Sequence, residues 1–486
     1  MVAMDELRNY STDGYSSFNI FKNKEQLIRR HNFKSFIDSL AAFEYAFTKC
    51  NPYIILKKNI QLDDSSLLTV NDVHKNSRKF QLQEDNSFLI ISVGKASVNM
   101  LKAVLEILNN KVKKCLLITP SNQKISSDLI NPAIVNIIKS SHPLPNRNSL
   151  IASKKAISCL HDASKKDVII FLISGGSSSL IASPMEIISL YDKVQITNLL
   201  ISCGANIREI NIVRRHLSNI KGGKILNHIN RNCLVLSFIL SDVIGDFLNT
   251  IGSGLTSFDD STFRDAKTIL ERYGLLHIDI QSAKNINKAI EMGIEQKIPE
   301  TMKKNEFSKR IVHIFILGNN SIFCKYVADY IKSHNYHISF FRLDYENDLQ
   351  KFVIETKGVI TEHLKKNSCV LVGGEITLNI LNNKHNVGIG GRNQEGICHL
   401  LDFFSSIDFD DFTVMFLGTD GIDGNSKAAG GFITPKTIKL LREKNLNSDE
   451  YLKKHDSYNL LKSLHSNIIT GYTGTNFNDV YLFLRR

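Results

Sequence analysis

The stretch "DVIIFLISGGSSS", residues 167–179, runs through six consecutive apolar residues into a cluster of glycines and serines. A continuous apolar run this short is typical of a β-strand buried on both faces, as in a parallel sheet covered by helices. In such sheets, ligands bind beyond the carboxyl ends of the strands. The stretch therefore predicts a fold class and also indicates where a binding site should lie.

The same pattern of an apolar run ending in small or charged residues recurs along the chain. The other instances are "SFLIISVGKAS" (87–97), "KKCLLITPS" (113–121), "NCLVLSFILSDVIGD" (232–246), "IVHIFILGNN" (311–320), "SCVLVGGEIT" (368–377) and "FTVMFLGTDG" (412–421). An amphipathic segment often follows the run. Because buried strands that alternate with helices build parallel sheets, the sequence predicts an α/β fold.

The length of 486 residues exceeds what a single core usually organises, so we expect more than one domain. Residues 266–310 are charged and poor in strands, which predicts a helical connection. We expect one α/β domain over 36–265 and a second over 311–486. Residues 1–35 are predicted to form a flexible extension, because their start is polar and mixes acidic with basic side chains.

The composition narrows the range of partners and compartments. The net charge is +12, but the lysines are scattered in pairs without a basic stripe, which argues against nucleic acid as a partner. The eight cysteines form no CxxC pair and several lie in apolar runs, as expected of reduced thiols in a cytoplasmic protein. The apolar runs are too short for a membrane span. The sequence is compatible with a homo-oligomer and does not determine the oligomeric state.

The loop in "LISGGSSSL" (172–180) is the first candidate for anion binding. Backbone N–H groups and hydroxyls after a strand can bind phosphate, although a tight strand-to-helix turn with serine caps would use the same residues. The candidates for nucleotide binding in this loop are Ser174, Gly175, Gly176, Ser177 and Ser178. The chain has no GxxxxGK[ST] loop and no GxGxxG after a strand, which argues against the usual dinucleotide site.

Two further strand ends carry charged residues. Lys95 in "SVGKAS" could neutralise a phosphate or a carboxylate, or could be a solvated lysine at a helix start. Asp242 in "LSDVIGD" has the position of a Mg²⁺ ligand in phosphoryl-transfer sites, or of the cap of a turn. His142, Thr475, Asn476 and Asp479 are polar residues near other element ends, where they would contact a ligand or only fix loops.

The second half of the chain adds a cationic group and two carboxylates. In "GIGGRNQEG" (388–396) the Arg392 guanidinium could bind a carboxylate or phosphate through two donor groups. Gly390 and Gly391 have no side chain that would keep an anion away from the backbone. In "LGTDGIDG" (417–424), Asp420 and Asp423 could hold Mg²⁺ or accept a proton from a hydroxyl. A glycine-rich turn with Asx hydrogen bonds explains the same residues.

Taken in chain order, these stretches resemble the glycerate kinase family of the MOFRL type, also called glycerate 2-kinase. The matching segments are "GKAS" (94–97), "SSHPLP" (140–145), "LISGGSSSL" (172–180), "GANIREINIVRRHLSNIKGGKI" (204–225), "LSDVIGD" (240–246), "SGLTSFDDSTFRDA" (253–266), "VGGEIT" (372–377), "GIGGRNQEG" (388–396), "GTDGIDGNSKAAGG" (418–431) and "TGTNFNDV" (473–480). Ser177 stands where the family usually has glycine.

The resemblance implies an N-terminal Rossmann-like domain, a C-terminal MOFRL domain and an active site in the cleft between them. It also implies phosphorylation of D-glycerate by ATP with Mg²⁺, typically to 2-phosphoglycerate. Lys95 and Arg392 match residues regarded as part of the family's active site. On this basis Lys95 would stabilise the transferring phosphoryl group and Arg392 would grip the glycerate carboxylate or that phosphate.

Further roles follow for the remaining candidates. Gly175 and Gly176 would cradle the ATP phosphates, Asp242 and Asp420 would bind Mg²⁺, and Asp420 or Asp423 would accept the proton. Two alternative functions, an oxidoreductase and a sensor, belong to classes other than kinases. An oxidoreductase acting on hydroxypyruvate is disfavoured by the missing GxGxxG. A non-catalytic sensor of sugar acids or nucleotides is disfavoured by the number of ionisable groups.

Overall fold

The computed structural model describes residues 19–125, 131–276, 278–378 and 387–486. Its contacts divide the chain into two compact units. The parallel-sheet unit consists of Pro52–Asn319 and Gly474–Phe477. The mixed-sheet unit consists of Met1–Asn51, Asn320–Thr473 and Asn478–Arg486.

The α-helices were numbered in chain order over the described residues. They are α1 (Lys24–Arg30), α2 (Lys34–Lys49), α3 (Pro52–Asn59), α4 (Ser97–Leu108), α5 (Arg147–His161), α6 (Ser177–Leu180), α7 (Leu190–Ser202), α8 (Ile207–His216), α9 (Phe263–Arg272), α10 (Gln281–Ile294), α11 (Lys304–Phe307), α12 (Asn320–Ser333), α13 (Leu349–His363), α14 (Arg392–Ser405), α15 (Pro435–Glu443), α16 (Ser448–Leu452) and α17 (Ser457–Ser463). Across the four described ranges, no helix has the length and apolar character needed to cross a membrane.

The strands were numbered in the same way. They are β1 (Ile60–Leu62), β2 (Leu67–Asn71), β3 (Ser77–Gln81), β4 (Ser87–Val93), β5 (Val112–Pro120), β6 (Val135–Ser140), β7 (Asp167–Ile173), β8 (Leu234–Leu240), β9 (Ile311–Gly318), β10 (His337–Asp348), β11 (Ser368–Thr377), β12 (Phe412–Gly418), β13 (Gly430–Ile433), β14 (Asn467–Ile468) and β15 (Asp479–Arg485). Short 3₁₀ helices lie at Asn109–Lys111, Lys224–His228, Ile244–Asp246 and Ile251–Ser253.

The parallel-sheet unit is built on six strands in the order β6-β5-β4-β7-β8-β9, and every neighbouring pair is parallel. The chain adds β5 and β6 on one side of β4, and then β7, β8 and β9 on the other side. This order is that of the doubly wound dinucleotide-binding fold, and its direction reverses between β4 and β7. The predicted Rossmann-like architecture is therefore confirmed, and β7 is buried along its whole length.

The mixed-sheet unit is also an α/β structure, but its strands are not all parallel. Its sheet has the order β10-β11-β15-β12-β13-β14, in which only β10 and β11 run parallel. The apolar runs in β11 and β12 predicted a parallel sheet here, and that expectation is wrong for this unit. Burial on both faces produces the same apolar pattern in either strand direction, so the pattern could not reveal that β15 returns antiparallel between them.

The boundary between the units differs from the predicted one on its C-terminal side. The segment 266–310 was expected to connect two domains, whereas α9 and α10 pack with α7 and α8 around their own apolar core. The next strand, β9, pairs with β8 and completes the parallel sheet rather than opening the second domain. Its apolar run is local, but its pairing with β8 joins residues 77 or 78 positions apart, which no local pattern reveals.

The N-terminal side differs as well. The first 18 residues of the predicted 1–35 extension lie outside the described residues. Phe21 and Leu27 are buried, and α2 packs on α12 and β12 of the mixed-sheet unit. The buried face of α2, which includes Phe36, Leu40 and Phe43, explains why this helix joins that unit instead of starting the parallel-sheet unit at residue 36.

The cysteines follow the sequence-based expectation in their surroundings. None of the eight is bridged, and all except Cys203 are buried. Burial raises the pKa of the Cys115 thiol to about 12, so this side chain behaves as a small apolar group.

Candidate active site

The ends of β4 and β7 bring Lys95 against the Gly–Ser loop. Val93 and Ile173 are paired across these strands, so the residues that follow them begin at the same level of the sheet. The Lys95 backbone N–H donates to the carbonyl of Gly175 at 2.8 Å, and the Ala96 N–H donates to Ser174 Oγ at 3.0 Å. The predicted residues Lys95, Ser174 and Gly175 therefore lie together, at the point where the strand order reverses.

The two glycines of this loop are required by close approach of other side chains. A Cβ on Gly175 would stand 2.4 Å from Asp242 Oδ2. Gly176 has a left-handed φ of +83°, and a Cβ there would stand 2.8 Å from a ring carbon of His142 and 3.5 Å from Lys95 Cγ. The glycines thus allow His142, Lys95 and Asp242 to surround the loop backbone closely.

Asp242 is partly exposed, and its carboxylate contacts the side chain of Asn476. Asn476 Nδ2 donates to Asp242 Oδ2 at 3.2 Å, and Asn476 belongs to the short Gly474–Phe477 segment of the same unit. Both residues were identified from the sequence as polar residues at element ends, and the structure brings them together. Carboxylates that bind a cation are commonly oriented by a hydrogen bond of this kind.

The residues around Asp242 suit Mg²⁺ held partly by a substrate rather than by protein alone. In the part of the chain that the structure describes, no group of three or more His, Cys, Asp or Glu side chains is arranged to hold a metal. Mg²⁺ is commonly bound by one or two carboxylates together with substrate phosphates and water. The single carboxylate of Asp242 beside the loop is compatible with that mode and does not fit a closed protein cage.

The serines of the loop differ in their partners. Ser177 opens α6 without a positive φ, so its replacement of the family's glycine causes no backbone strain. Ser178 Oγ contacts Ser253 Oγ at 2.8 Å, accepts from Arg214 Nη2 at 2.8 Å and accepts from Lys221 Nζ at 2.5 Å. Sequence reasoning gave no role to Arg214 and Lys221, although both lie in the family-like segment 204–225.

Arg392 is the first residue of α14, and its guanidinium is held by two carboxylates of the mixed-sheet unit. Its Nε lies 2.6 Å from Asp479 Oδ2, and its Nη1 lies 2.5 Å from Glu375 Oε1. Burial alone would lower the pKa of the guanidinium, but Asp479 and Glu375 outweigh burial and raise it above its usual value. Glu375 was not identified from the sequence, because it lies 17 positions before Arg392 and no helix or strand periodicity relates the two residues.

The Asp479 carboxyl responds to the same environment. Burial raises its pKa to about 6, against the lowering effect of the Arg392 charge. Tyr481 donates its hydroxyl to Asp479 Oδ2 at 3.2 Å. Asn478 Nδ2 donates to Glu375 Oε2 at 2.7 Å, so both carboxylates that face Arg392 are positioned by further hydrogen bonds.

Asp423 is placed as a cap for the start of α14. Its buried carboxylate accepts hydrogen bonds from the backbone N–H groups of Asn393 at 3.1 Å and Gln394 at 2.9 Å, and from Gln394 Nε2 at 2.9 Å. These bonds satisfy donors that a helix start leaves open. Burial raises the pKa of Asp423, against those hydrogen bonds. The geometry supports a positioning role for Asp423 and gives no support to its predicted role as proton acceptor.

The glycines before Arg392 are explained by packing in this structure. A Cβ on Gly391 would stand 2.4 Å from Asp423, and a Cβ on Gly390 would stand 2.1 Å from Ser457 Oγ. Gly391 therefore lets the Asp423 carboxylate reach the start of α14. Their predicted contact with a nucleotide stays a prediction.

Asp420 is the more accessible of the two aspartates in its loop. It is partly exposed, and its Oδ1 accepts from the backbone N–H of Ile422 at 3.2 Å, which is the Asx-type bond of a tight turn. Gly421 has a φ of +87°, and a Cβ there would stand 1.9 Å from the carbonyl oxygen of Gly471. The turn is thus fixed by its backbone, and Asp420 as a whole is partly exposed.

The predicted residues fall into one group in each unit. The group in the parallel-sheet unit consists of Lys95, Ser174, Gly175, Gly176, Ser177, Ser178 and Asp242. The group in the mixed-sheet unit consists of Gly390, Gly391, Arg392, Asp420 and Asp423.

Comparison with known proteins matches both groups. The profile described as "Domain of unknown function (DUF4147)" matches residues 38–290, and that of the MOFRL family matches residues 368–479. A Glycerate 2-kinase of Pyrococcus horikoshii is 32% identical over 443 residues, which cover 90% of this chain and 94% of that protein. The chain belongs to the glycerate kinase family of the MOFRL type.

Other relatives extend this assignment to structure. A D-glycerate 2-kinase of Thermotoga maritima is 33% identical over 405 residues, covering 82% of this chain and 90% of that protein. The crystal structure of the Thermotoga maritima glycerate kinase superposes with a TM-score of 0.75 at 28% identity, over 92% of this chain and 99% of that one. The two segments matched by profiles contain every candidate residue of this MOFRL-type glycerate kinase.

Proposed function

We propose that this protein phosphorylates D-glycerate with ATP and releases 2-phosphoglycerate. The observation that carries the proposal is its similarity to proteins named glycerate 2-kinase, over 82–90% of this chain and 90–94% of theirs. The residues at the reversal point of the parallel sheet supply what phosphoryl transfer requires, because they combine open backbone with a cation and a carboxylate. Such reactions depend mainly on positioning and on electrostatic stabilisation.

The nucleotide phosphates are assigned to the Gly–Ser loop. Gly175 and Gly176 carry no side chain of their own, and the polar side chains of Asp242, His142 and Lys95 lie close to their backbone. Lys95 has its backbone fixed by Gly175 and its side chain partly exposed next to Gly176. In this assignment Lys95 stabilises the negative charge of the phosphoryl group during transfer.

Magnesium is assigned to Asp242, with Asp420 as a second candidate ligand. When bound, the ion would neutralise phosphate charge and so favour attack by a hydroxyl. Asp242 is oriented by Asn476, and it lies against Gly175 of the loop to which we assign the phosphates.

The acidic substrate is assigned to Arg392. Glu375 and Asp479 hold the Nε and Nη1 donors and fix the plane of the guanidinium. Nη2 makes no hydrogen bond within the described residues, so this edge is available for the glycerate carboxylate or the transferring phosphate. Asp420 is the better candidate for proton acceptor, since Asp423 is buried and occupied by the start of α14.

A direct assay tests the proposal. The purified chain is incubated with ATP, Mg²⁺ and D-glycerate, and ADP release is coupled to NADH oxidation. Enolase, which takes 2-phosphoglycerate and not 3-phosphoglycerate, identifies the product. We expect ADP release that depends on D-glycerate and a product that enolase accepts directly.

Two results would count against the proposal. ADP release that is unchanged without D-glycerate would indicate a different acceptor or a plain ATPase. NADH oxidation with hydroxypyruvate alone, in the absence of ATP, would favour the oxidoreductase alternative.

A further inference from the structure

Four cationic side chains of the parallel-sheet unit gather beside the Gly–Ser loop, and we call them the cation cluster: Lys193, Arg214, Lys221 and Lys224. Lys193 lies in the first turn of α7 and Arg214 in the last turn of α8, while Lys221 and Lys224 follow α8. The three lysines are almost inaccessible, with exposed fractions of 5%, 1% and 5%. Arg214 is partly exposed.

The cation cluster has no carboxylate partner of its own. No member forms a salt bridge in the described ranges, where Lys221 Nζ instead donates to the carbonyl and hydroxyl oxygens of Ser178 at 2.6 and 2.5 Å. Lys193 Nζ donates to the carbonyl of Leu217 at 3.3 Å, and Lys224 Nζ has no hydrogen bond. Most of the ammonium donors in the cluster are therefore unused.

Other cationic residues of the same segment, in contrast to the cation cluster, do have acidic partners. Arg215 pairs with Asp259 at 2.9 Å, and both side chains are buried. Asp259 and Glu300 lie near enough to Lys224 to raise its pKa, but burial dominates and lowers that pKa to about 8. Glu300 itself contacts His216 at 3.2 Å. The acids of this region thus have cationic partners outside the cluster.

The arrangement is unfavourable when nothing is bound. Burial lowers the pKa of both Lys193 and Lys221 well below the usual value, and repulsion from Arg214 adds to this effect. Burying a cation without a counter-charge is costly in any folded protein. Such an ammonium group either loses its proton or gains a counter-charge, and an anion that accepts the unused donors would supply that counter-charge.

The surroundings of Ser178 are polar and shaped by unusual backbone. Ser177 Oγ is buried without a hydrogen-bond partner. Ser253 Oγ contacts Ser178 Oγ at 2.8 Å, and Gly252, Ser253 and Gly254 all have left-handed φ values of +58°, +57° and +66°. A serine in that conformation is strained, and such strain is commonly retained at binding sites.

We propose that the cation cluster binds a small oxyanion at Ser178, with Lys221 and Arg214 as its principal donors. Ser178 lies two residues after Gly176, so the anion would belong to the same loop as the proposed nucleotide phosphates. The identity of the anion rests on the proposed function: it is the glycerate carboxylate or a phosphoryl group. Both are oxyanions, and a binding experiment separates them.

Thermal unfolding in the presence of anions tests the site. Wild-type protein and Lys221→Met are titrated with inorganic phosphate, ADP or D-glycerate at constant ionic strength. We expect at least one of these anions to raise the wild-type Tm, and Lys221→Met to weaken its apparent binding at least tenfold. Loss of the phosphate and ADP shifts alone assigns the site to a phosphoryl group, and loss of the glycerate shift alone assigns it to the carboxylate.

Further variants keep the test decisive. Lys193→Met removes a second cation that makes one weak hydrogen bond, and it replaces Lys221→Met if that variant does not fold. Lys154→Met, on the exposed face of α5, removes one positive charge elsewhere and should leave all shifts unchanged. Anion shifts equal in the wild type, Lys221→Met and Lys193→Met would overturn the proposal.

The outcomes also separate this site from the proposed function. If the wild type releases ADP with D-glycerate and both cluster variants retain normal shifts and KM, the anion site fails while the kinase function stands. If the wild type shows no turnover but Lys221→Met loses the phosphate shift, the kinase function fails and the anion site stands.

Discussion

Arg392 and the cation cluster represent two ways of placing positive charge inside one protein. Arg392 is surrounded by Glu375 and Asp479, which hold two of its donor groups and keep it charged. Lys193 and Lys221 are buried more completely, yet they face carbonyls and hydroxyls instead of acids. The Arg392 environment contains two acids that balance its charge, whereas no carboxylate of the described residues forms a salt bridge with Lys193 or Lys221.

The two environments are suited to different kinds of anion binding. Arg392 is held rigidly in one orientation, whereas the cation cluster lacks the counter-charge that a bound anion would supply. A guanidinium fixed by two carboxylates has a defined plane, so it can select an anion by direction at little ordering cost. A set of buried ammonium groups without acids gains stability only when an anion arrives. We therefore expect changes at Arg392 to alter mainly turnover, and changes in the cation cluster to alter mainly the effect of anions.

The sharpest test of this comparison uses two adjacent arginines. Arg215→Gln leaves Asp259 buried without its cation, and breaking such a pair costs about 3–5 kcal/mol in the free energy of unfolding. Arg214→Gln removes a cation that has no acid partner, so stability without anions should be unchanged or higher. Denaturant unfolding in a buffer free of phosphate and sulfate measures both. If both variants lost the same free energy of unfolding, the claim that Arg215 has an acid partner and Arg214 has none would be contradicted.

The next test concerns Arg392. Arg392→Lys keeps the charge but cannot hold Glu375 and Asp479 while presenting a planar edge to substrate. We expect kcat to fall about 100-fold or more, comparable to the loss of one oxyanion donor. Steady-state kinetics measure the change, and Lys154→Met serves as a charge control. A turnover within about threefold of wild type would contradict the directional grip, since a tenfold change already corresponds to about 1.4 kcal/mol.

A smaller effect should distinguish the aspartates of the Asp420 loop. Asp423→Asn replaces a carboxylate that accepts four hydrogen bonds at the start of α14, and we expect a loss of about 2 kcal/mol in the free energy of unfolding. Asp420→Asn keeps the turn and should reduce kcat without that loss of stability. Thermal and chemical unfolding together with initial rates measure both. A stable Asp423→Asn protein with abolished turnover would reverse the assigned roles.

The features predicted correctly from the sequence are those that depend on neighbouring residues in the chain. The apolar runs identified β4, β7 and β8, and the residues that follow them gather as parallel strand ends require. Lys95, Gly175 and Asp242 were chosen for that reason, and they lie together. Local periodicity sufficed because strand burial and strand ends are local properties.

The features that were missed depend on distant pairs of residues. The start of α14 is capped by Asp423, about 30 positions away, and the glycines before Arg392 make room for this packing, which no local pattern reveals. Arg214 and Lys221 lie in an amphipathic segment whose charged residues would ordinarily face solvent. Only the structure shows that both reach Ser178, some 40 positions earlier in the chain.

The smallest predicted effect is a pH dependence at Asp479. Its pKa is raised from the usual value near 3.8 to about 6, so between these values the folded protein binds more protons at this group than the unfolded chain does. Stability contributed by this group therefore falls as pH rises from 4 to 6, by at most about 1.4 kcal/mol per pH unit, and the penalty is fully present above pH 6. Asp479→Asn cannot titrate, so the difference in free energy of unfolding between wild type and variant should change across this window in the variant's favour. Urea unfolding at pH 4, 5, 6 and 7 measures the difference. Parallel curves for the two proteins would show that the Arg392 guanidinium holds Asp479 ionised throughout, and that its positive charge outweighs the burial of this carboxyl.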